Sequence, residues 1–240
     1  HTDIFSPYFV KSSVFNKIRF LLAKFLIPRT NGIRVVSERI KDSLKAYGIR
    51  HTAVTVLPIF VDIERIKNSP IKTDLHQKYE KDKFIVLMAS RLTKEKNIEL
   101  AIESMRDINA VLVIAGEGPE KEHLKLIAHK NVFFESWSDD LASYYKTCNL
   151  FLLTSNYEGY GMTLAEATSA GAKIISSDVG IAPELLDKEN IFNVGDKNGL
   201  IEKLNLAIEG KIRPAKPLPI QTKEEYLRLY RKGLEQCLKK

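Results

Sequence analysis

The sequence predicts an α/β protein: a mostly parallel, doubly wound sheet, joined to an incomplete portion of a second domain of similar type. Three observations predict it. From Phe84 onward, short apolar runs alternate with helix-like stretches, a pattern that implies right-handed βαβ crossovers and a parallel sheet. The chemically unusual residues all follow the carboxyl ends of those runs, the edge where such sheets bind ligands. The first sixty residues hold too few strands to complete a sheet, so they read as the end of a domain whose beginning is absent from the chain.

With 240 residues, 44% hydrophobic and 28% charged, the chain can bury a real core in one large or two small domains. Its net charge of +7 suits a polyanion, an anionic membrane surface or a phosphorylated ligand without choosing among them. Cys148 and Cys237 form no Cys-x-x-Cys pair and no secretory signal is visible, which favours a reducing cytoplasm. Cys148, between a helix and an apolar run, reads as a core residue.

The elements follow in order. Val14 to Ile27 reads as an amphipathic helix, with Ile18, Leu21, Leu22 and Phe25 on one face and Lys17 and Lys24 opposite. Such a stripe suits a membrane surface, or more commonly a core face. Ile33–Val36 follows as a strand, Ser37 as an N-cap, a helix to Tyr47 ended by Gly48, and a strand from Ala53 to Leu57. Residues 1–57 therefore form the incomplete domain. Residues 58–210 form the doubly wound one, with strands near Phe84–Ala89, Val111–Ala115, Val132–Phe134, Leu150–Leu153, Lys173–Ser176 and Ile191–Val194. Residues 211–240 are a linker and a charged amphipathic helix, Lys223 to Lys239.

The central stretch is Asn156 to Ala167. It joins the apolar run Leu150–Leu153 to a helix from Leu164 to Ala170 that Gly171 closes. Gly159 and Gly161 let backbone amides approach a ligand at a helix N-terminus, which favours an anion. Glu158 in the loop and Glu166 in the first turn bring carboxylates to the same crevice, so the stretch suits a nucleotide sugar. Thr163-x-x-Glu166 is equally a capping box, in which both side chains only satisfy backbone N–H groups. Elsewhere on this edge, Arg91 and Lys96 read as a diphosphate clamp, with Asn97 capping the helix that follows. Gly116 and Gly118 permit close approach of backbone to ligand, but lack the rest of a dinucleotide fingerprint.

Taken together, Pro58-x-x-Val61-Asp62, Arg91 with Lys96, Gly116-Glu117-Gly118-Pro119, and Glu158-Gly-Tyr-Gly with Glu166 eight residues on resemble the carboxyl-terminal half of a retaining GT-B glycosyltransferase of family 4. The resemblance covers about residues 31 to 209. It implies a Rossmann-like donor domain, with the end of an acceptor-binding domain ahead of it and the last helix crossing back to that domain. It also implies roles: Arg91 and Lys96 on the donor diphosphate, Glu158 on hydroxyls of the transferred hexose, and Glu166 on the nucleotide ribose. Gly159, Tyr160, Gly161, Met162, Thr163 and Leu164 would line the phosphates and sugar, and Ser136 and Trp137 the base. His1 would lie beside the donor sugar. Three departures stand out: Gly180-Ile181-Ala182-Pro183-Glu184 keeps one glycine where relatives pair them, Ser136 replaces a glycine, and Thr154-Ser155 replaces Pro-Ser.

The implied reaction is transfer with retention from a nucleoside-diphosphate sugar to a glycan or glycolipid hydroxyl, with the leaving phosphate as base and no metal or other cofactor. There is no Asp-x-Asp, and His123 and His129 are six apart with no other plausible ligands. Asp139-Asp140 reads as an N-cap before Leu141–Lys146. A sugar-nucleotide epimerase or a non-catalytic sugar-nucleotide-binding module shares these features and stays open. Nucleic acid is not expected, because the lysines are scattered and lack interleaved aromatics. The expected location is the cytoplasm, with a peripheral contact at the inner membrane face left open, as is the oligomeric state.

Overall fold

A computed structural model describes residues 4–49, 53–79, 82–220 and 222–238. The chain folds as two compact units: His1–Asp62 with Tyr157–Gly161 and Pro219–Lys240, and Ile63–Asn156 with Met162–Leu218.

The first unit begins with helices α1 (Pro7–Lys11) and α2 (Val14–Leu26), strand β1 (Ile33–Val35), helix α3 (Glu38–Ala46) and strand β2 (Val54–Val56). β1 and β2 pair in parallel, with Ile33 opposite Val54. Ser37 caps α3 as expected, its hydroxyl accepting from the Ile40 amide at 3.3 Å. α2 stops at Leu26, and a 3-10 turn takes over through Ile27–Arg29, because Pro28 has no N–H with which to continue the helical hydrogen-bond ladder. The core-face reading of α2 is not met: none of its residues is buried, and Ile18, Leu21, Leu22 and Phe25 are all exposed. The helix is held from another side, where Phe20 packs edge-on to Phe5 and Tyr47 at 5.9 and 5.2 Å.

The second unit runs α4 (Ile63–Asn68), α5 (Leu75–Lys78), β3 (Phe84–Ala89), α6 (Ile98–Ser104), β4 (Ala110–Ala115), α7 (Lys121–Ile127), β5 (Val132–Glu135), α8 (Leu141–Thr147), β6 (Leu150–Leu153), α9 (Met162–Ala170), β7 (Ile174–Ser177), α10 (Ala182–Leu185), β8 (Ile191–Phe192) and α11 (Lys197–Ile208). Its six strands are parallel throughout, in the order β5-β4-β3-β6-β7-β8. Strands buried on both faces need no polar alternation, which is why β3, β4 and β6 are almost uninterrupted apolar runs. On one face Val86, Met88, Leu112, Ile114, Leu150 and Leu152 pack with Ile98 and Ile102 of α6 and Leu200 and Leu204 of α11. On the other, Tyr145 of α8 meets Phe151 edge-on at 5.4 Å, and α9 lies beside α8.

Several strand ends differ from expectation by one or two residues. β7 begins at Ile174, one residue later than predicted. β8 stops at Phe192 instead of reaching Val194, because the chain turns there, the Asp196 amide donating to the Asn193 carbonyl at 3.0 Å. Asp196 then caps α11 through the Gly199 amide at 2.9 Å.

Helix α12 (Lys223–Leu238) returns to the first unit. Its Gly233 faces the Thr55 side chain, Gln236 accepts from the Thr55 hydroxyl at 3.3 Å, and Arg34 donates to the Tyr226 hydroxyl at 3.0 Å. Among the described residues, no helix is long and apolar enough to cross a membrane.

Candidate functional site

The strand order reverses between β3 and β6, and the crevice outside the carboxyl ends of strands at such a switch is where doubly wound sheets hold ligands. The loops leaving these strands are tied together by backbone. The Thr154 hydroxyl lies 2.9 Å from both the Lys96 and the Asn97 carbonyls, and the Asn156 amide donates to the Glu95 carbonyl at 2.8 Å. Thr154 is fully buried, so its hydroxyl cross-links the loops away from solvent. Asn97 precedes α6 as expected but does not cap it through its side chain. It adopts a left-handed conformation, φ 48° and ψ 46°, with no side-chain capping bond.

Arg91 stands at the start of this edge with its side chain 74% exposed and Nη2 3.5 Å from the Glu95 carboxylate. Lys96 closes the short turn Lys94–Lys96. The glycines after β4 pack against the neighbouring loop. A Cβ on Gly116 would overlap the Ser90 carbonyl oxygen, and one on Gly118 would fall 2.6 Å from the Leu92 nitrogen and overlap its carbonyl. The close approach these glycines permit is therefore to the β3 loop. It is sealed by Leu92 N–H to Glu117 O at 2.8 Å and Glu120 N–H to Leu92 O at 3.0 Å.

After β5, the Lys121 ammonium, first, and the Ser136 hydroxyl hold the Glu117 carboxylate below the usual glutamate range. Trp137 is 57% exposed. It lines a pocket of about 460 Å³ together with Arg65 and Lys72, Asp139, Tyr145 of α8 and Glu166 of α9, a volume in the range of small-ligand sites. Trp137 and Glu166 thus share one cavity, whereas Arg91, Lys96, Gly116 and Gly118 are not among its lining residues.

Helix α9 starts at Met162, two residues earlier than expected. Thr163 is consequently inside the first turn, where it cannot act as an N-cap, and the capping-box reading of Thr163 and Glu166 is not realised. Instead Glu166 Oε2 accepts from the Tyr145 hydroxyl at 3.1 Å. Burial raises the carboxyl above the usual glutamate range, opposed by the Tyr145 hydrogen bond and the Arg65 charge. Met162, Thr163 and Leu164 supply helix-start amides, which have no acceptor within the helix. Leu164 is fully buried and can contribute only its backbone. Gly171 ends the helix, its amide donating to Thr168 O at 3.1 Å.

Glu158, Gly159, Tyr160 and Gly161 fall in the segment that groups with the first unit. There Tyr157 meets Phe9 edge-on at 6.0 Å, Tyr160 is buried, and Gly161 has φ 96°. His1 lies outside the described residues. Asp140 takes the expected N-cap position of α8, but its carboxylate accepts from the Ser143 hydroxyl at 2.6 Å and makes no bond to the helix amides. Cys148 is half-buried instead of lying in the core, and its surroundings push its thiol up to about 12.

The fold is that of a doubly wound α/β protein, with a cavity beside the loop that follows β5. Residues 71–222, more than half of the chain, match the family described as Glycosyl transferases group 1, and the chain belongs to that family. It is 29% identical over 130 residues to the O-antigen biosynthesis glycosyltransferase WclY of Escherichia coli, a match covering 51% of this chain and 37% of that protein. It is 25% identical over 197 residues to the N-acetyl-alpha-D-glucosaminyl L-malate synthase of Bacillus anthracis, covering 76% and 51%. The chain thus spans about half or less of the length of these relatives. The structure of Anabaena Alr3699/HepE in complex with UDP and glucose superposes with a TM-score of 0.73 at 19% identity, over 100% of this chain and 68% of that one. That likeness supports the GT-B fold.

Tyr145, Arg65 and Lys72 escaped the sequence reading. No motif marks them: Tyr145 sits in an ordinary amphipathic helix, and the two cations precede β3 in a stretch without recognisable pattern.

Proposed function

We propose that this chain is the donor-nucleotide part of a retaining glycosyltransferase that moves a hexose from a nucleoside-diphosphate sugar to a hydroxyl of a glycan or glycolipid. The observation that carries the reading is the cavity shared by Trp137 and Glu166 beside the loop that follows β5. An exposed indole offers a stacking face to a base, and a carboxylate accepts from a ribose diol. Arg91 and Lys96 hold the diphosphate and stabilise the charge that develops as it departs. The α9 amides of Met162 to Leu164 add donors at a helix N-terminus. Glu158 binds hydroxyls of the hexose.

In the reaction the bond from the anomeric carbon to the β-phosphate oxygen breaks, and a bond to the acceptor oxygen forms on the same face. The acceptor proton passes to the leaving phosphate. Arg91 and Lys96 carry the charge balance, so neither metal nor cofactor is invoked. The acceptor site and its partners belong to the whole protein, which we place in the cytoplasm. We also propose a peripheral contact at the inner membrane face. Residues 4–37 carry Lys11, Lys17, Arg19, Lys24, Arg29 and Arg34 and no acid, and the apolar side chains of α2 are exposed among them.

Calorimetric titration of nucleoside diphosphates and their sugars tests the donor reading. One diphosphate should bind, weaken with Arg91→Ala, and gain a sugar-dependent increment that Glu158→Ala removes. Binding of a sugar nucleotide unaffected by either substitution would refute the assignment.

A further inference from the structure

We infer that Tyr145 is a positioning residue for the donor nucleotide, holding the Glu166 carboxylate in the orientation that receives the ribose diol. This rests on the donor-site reading above. Tyr145 is 2% exposed, and its ring is fixed edge-on against Phe151 at 5.4 Å, so the phenol has little freedom. Its hydroxyl donates to Glu166 Oε2 at 3.1 Å, and both residues border the same cavity. A phenol buried this deeply could have been satisfied by any nearby carbonyl. Here its partner is a ligand-pocket carboxylate.

The physical consequence is specific. A glutamate midway along a helix has three rotatable side-chain bonds, and pinning one carboxylate oxygen removes most of that freedom before ligand arrives. The phenol occupies one acceptor direction on Oε2, leaving Oε1 and the remaining lone pair to accept from a vicinal diol. It also supplies a donor to a carboxylate whose charge burial disfavours. Arg65, on α4 against the same helix α9, adds a favourable charge.

Tyr145→Phe removes the hydroxyl and keeps the ring against Phe151. The experiment measures the affinity of parent and variant for ADP, GDP, UDP and CDP. The nucleotide that binds best is then compared with its 2′,3′-dideoxy counterpart. In the parent the ribonucleotide should bind more tightly. In Tyr145→Phe its affinity should fall roughly 10- to 100-fold, the scale of one hydrogen bond to a charged group, while the dideoxy affinity stays put. Glu166→Ala should collapse the same preference, and the double variant should lose little more. Equal losses for both nucleotides, or an unchanged preference, would overturn the inference while leaving the donor site standing. Absence of binding to the parent would overturn the donor reading and this inference with it. The ratio within one preparation is insensitive to a partly unfolded sample, because a reduced active fraction lowers both signals alike.

Discussion

Gly118 lies directly against the backbone of Leu92, with room for no side chain: an added Cβ would fall 2.6 Å from the Leu92 nitrogen. The Gly-x-Gly after β4 is thus a packing device that locks the β4 loop onto the β3 loop carrying Arg91. Gly118→Ala must push the loops apart, at a cost of roughly 1–3 kcal/mol typical of overpacking. We expect a lowered melting temperature together with weaker nucleoside-diphosphate binding. A normal melt with impaired binding would instead indicate direct ligand contact.

Thr154 makes a second prediction. Its hydroxyl lies at 2.9 Å from the Lys96 and Asn97 carbonyls, so Thr154→Val leaves buried acceptors with a lost donor, costing about 1–3 kcal/mol. Urea titration measures the loss. Because the same bond fixes the turn carrying Lys96, diphosphate affinity should fall in parallel.

Much of this was legible in the sequence, and the physical reasons differ by element. β3 and β6 match their apolar runs to the residue because central parallel strands are buried on both faces and leave no polar interruptions. The edge strand β8 is shorter than its apolar run because a turn at Asn193 ends it. The start of α9 and the failed capping box were not legible, since Thr-x-x-Glu has the same spacing whether or not the Thr precedes the helix. The site was half legible. Trp137 and Glu166 follow from the rule that ligands bind at carboxyl ends of strands, whereas the Tyr145 and Arg65 wall is assembled from helices far apart in the chain. Such a wall is a tertiary fact with no local signature.

The ionisation of Glu166 gives a pH prediction. Burial raises its pKa above the usual glutamate range, and the ionised form is the one that accepts from a ribose diol. Nucleotide affinity should therefore weaken as pH falls, with a midpoint above that of an ordinary glutamate. Glu166→Gln should remove this step. For folding the sign is the reverse: a raised carboxyl favours the native state at low pH, and that contribution is lost as pH rises through the folded value. Calorimetry across a pH series, with Glu166→Gln beside the parent, checks the binding step.

Helix α2 gives a prediction about surfaces. Vesicles containing anionic phosphatidylglycerol should sediment the chain, uncharged phosphatidylcholine vesicles should not, and raised salt should release it, because the attraction is screened within about 10 Å at 0.1 M salt. Replacing Lys17, Arg19 and Lys24 together by Gln should abolish sedimentation. Equal binding of both vesicle types would contradict an electrostatic contact.

A nucleoside diphosphate seated in the Trp137 and Glu166 cavity with its phosphates at Arg91 has a direct reporter. Trp137 is the only tryptophan in the chain, so intrinsic fluorescence reads this one wall of the pocket. Titration with ADP, GDP, UDP and CDP should give a saturable change for one of them, weakened about tenfold or more by Arg91→Ala, the scale of a lost charge-assisted pair. The matching nucleoside without phosphates should bind parent and Arg91→Ala alike. Fluorescence unmoved by every diphosphate at millimolar concentration, or a change that Arg91→Ala leaves intact, would refute this placement of the nucleotide.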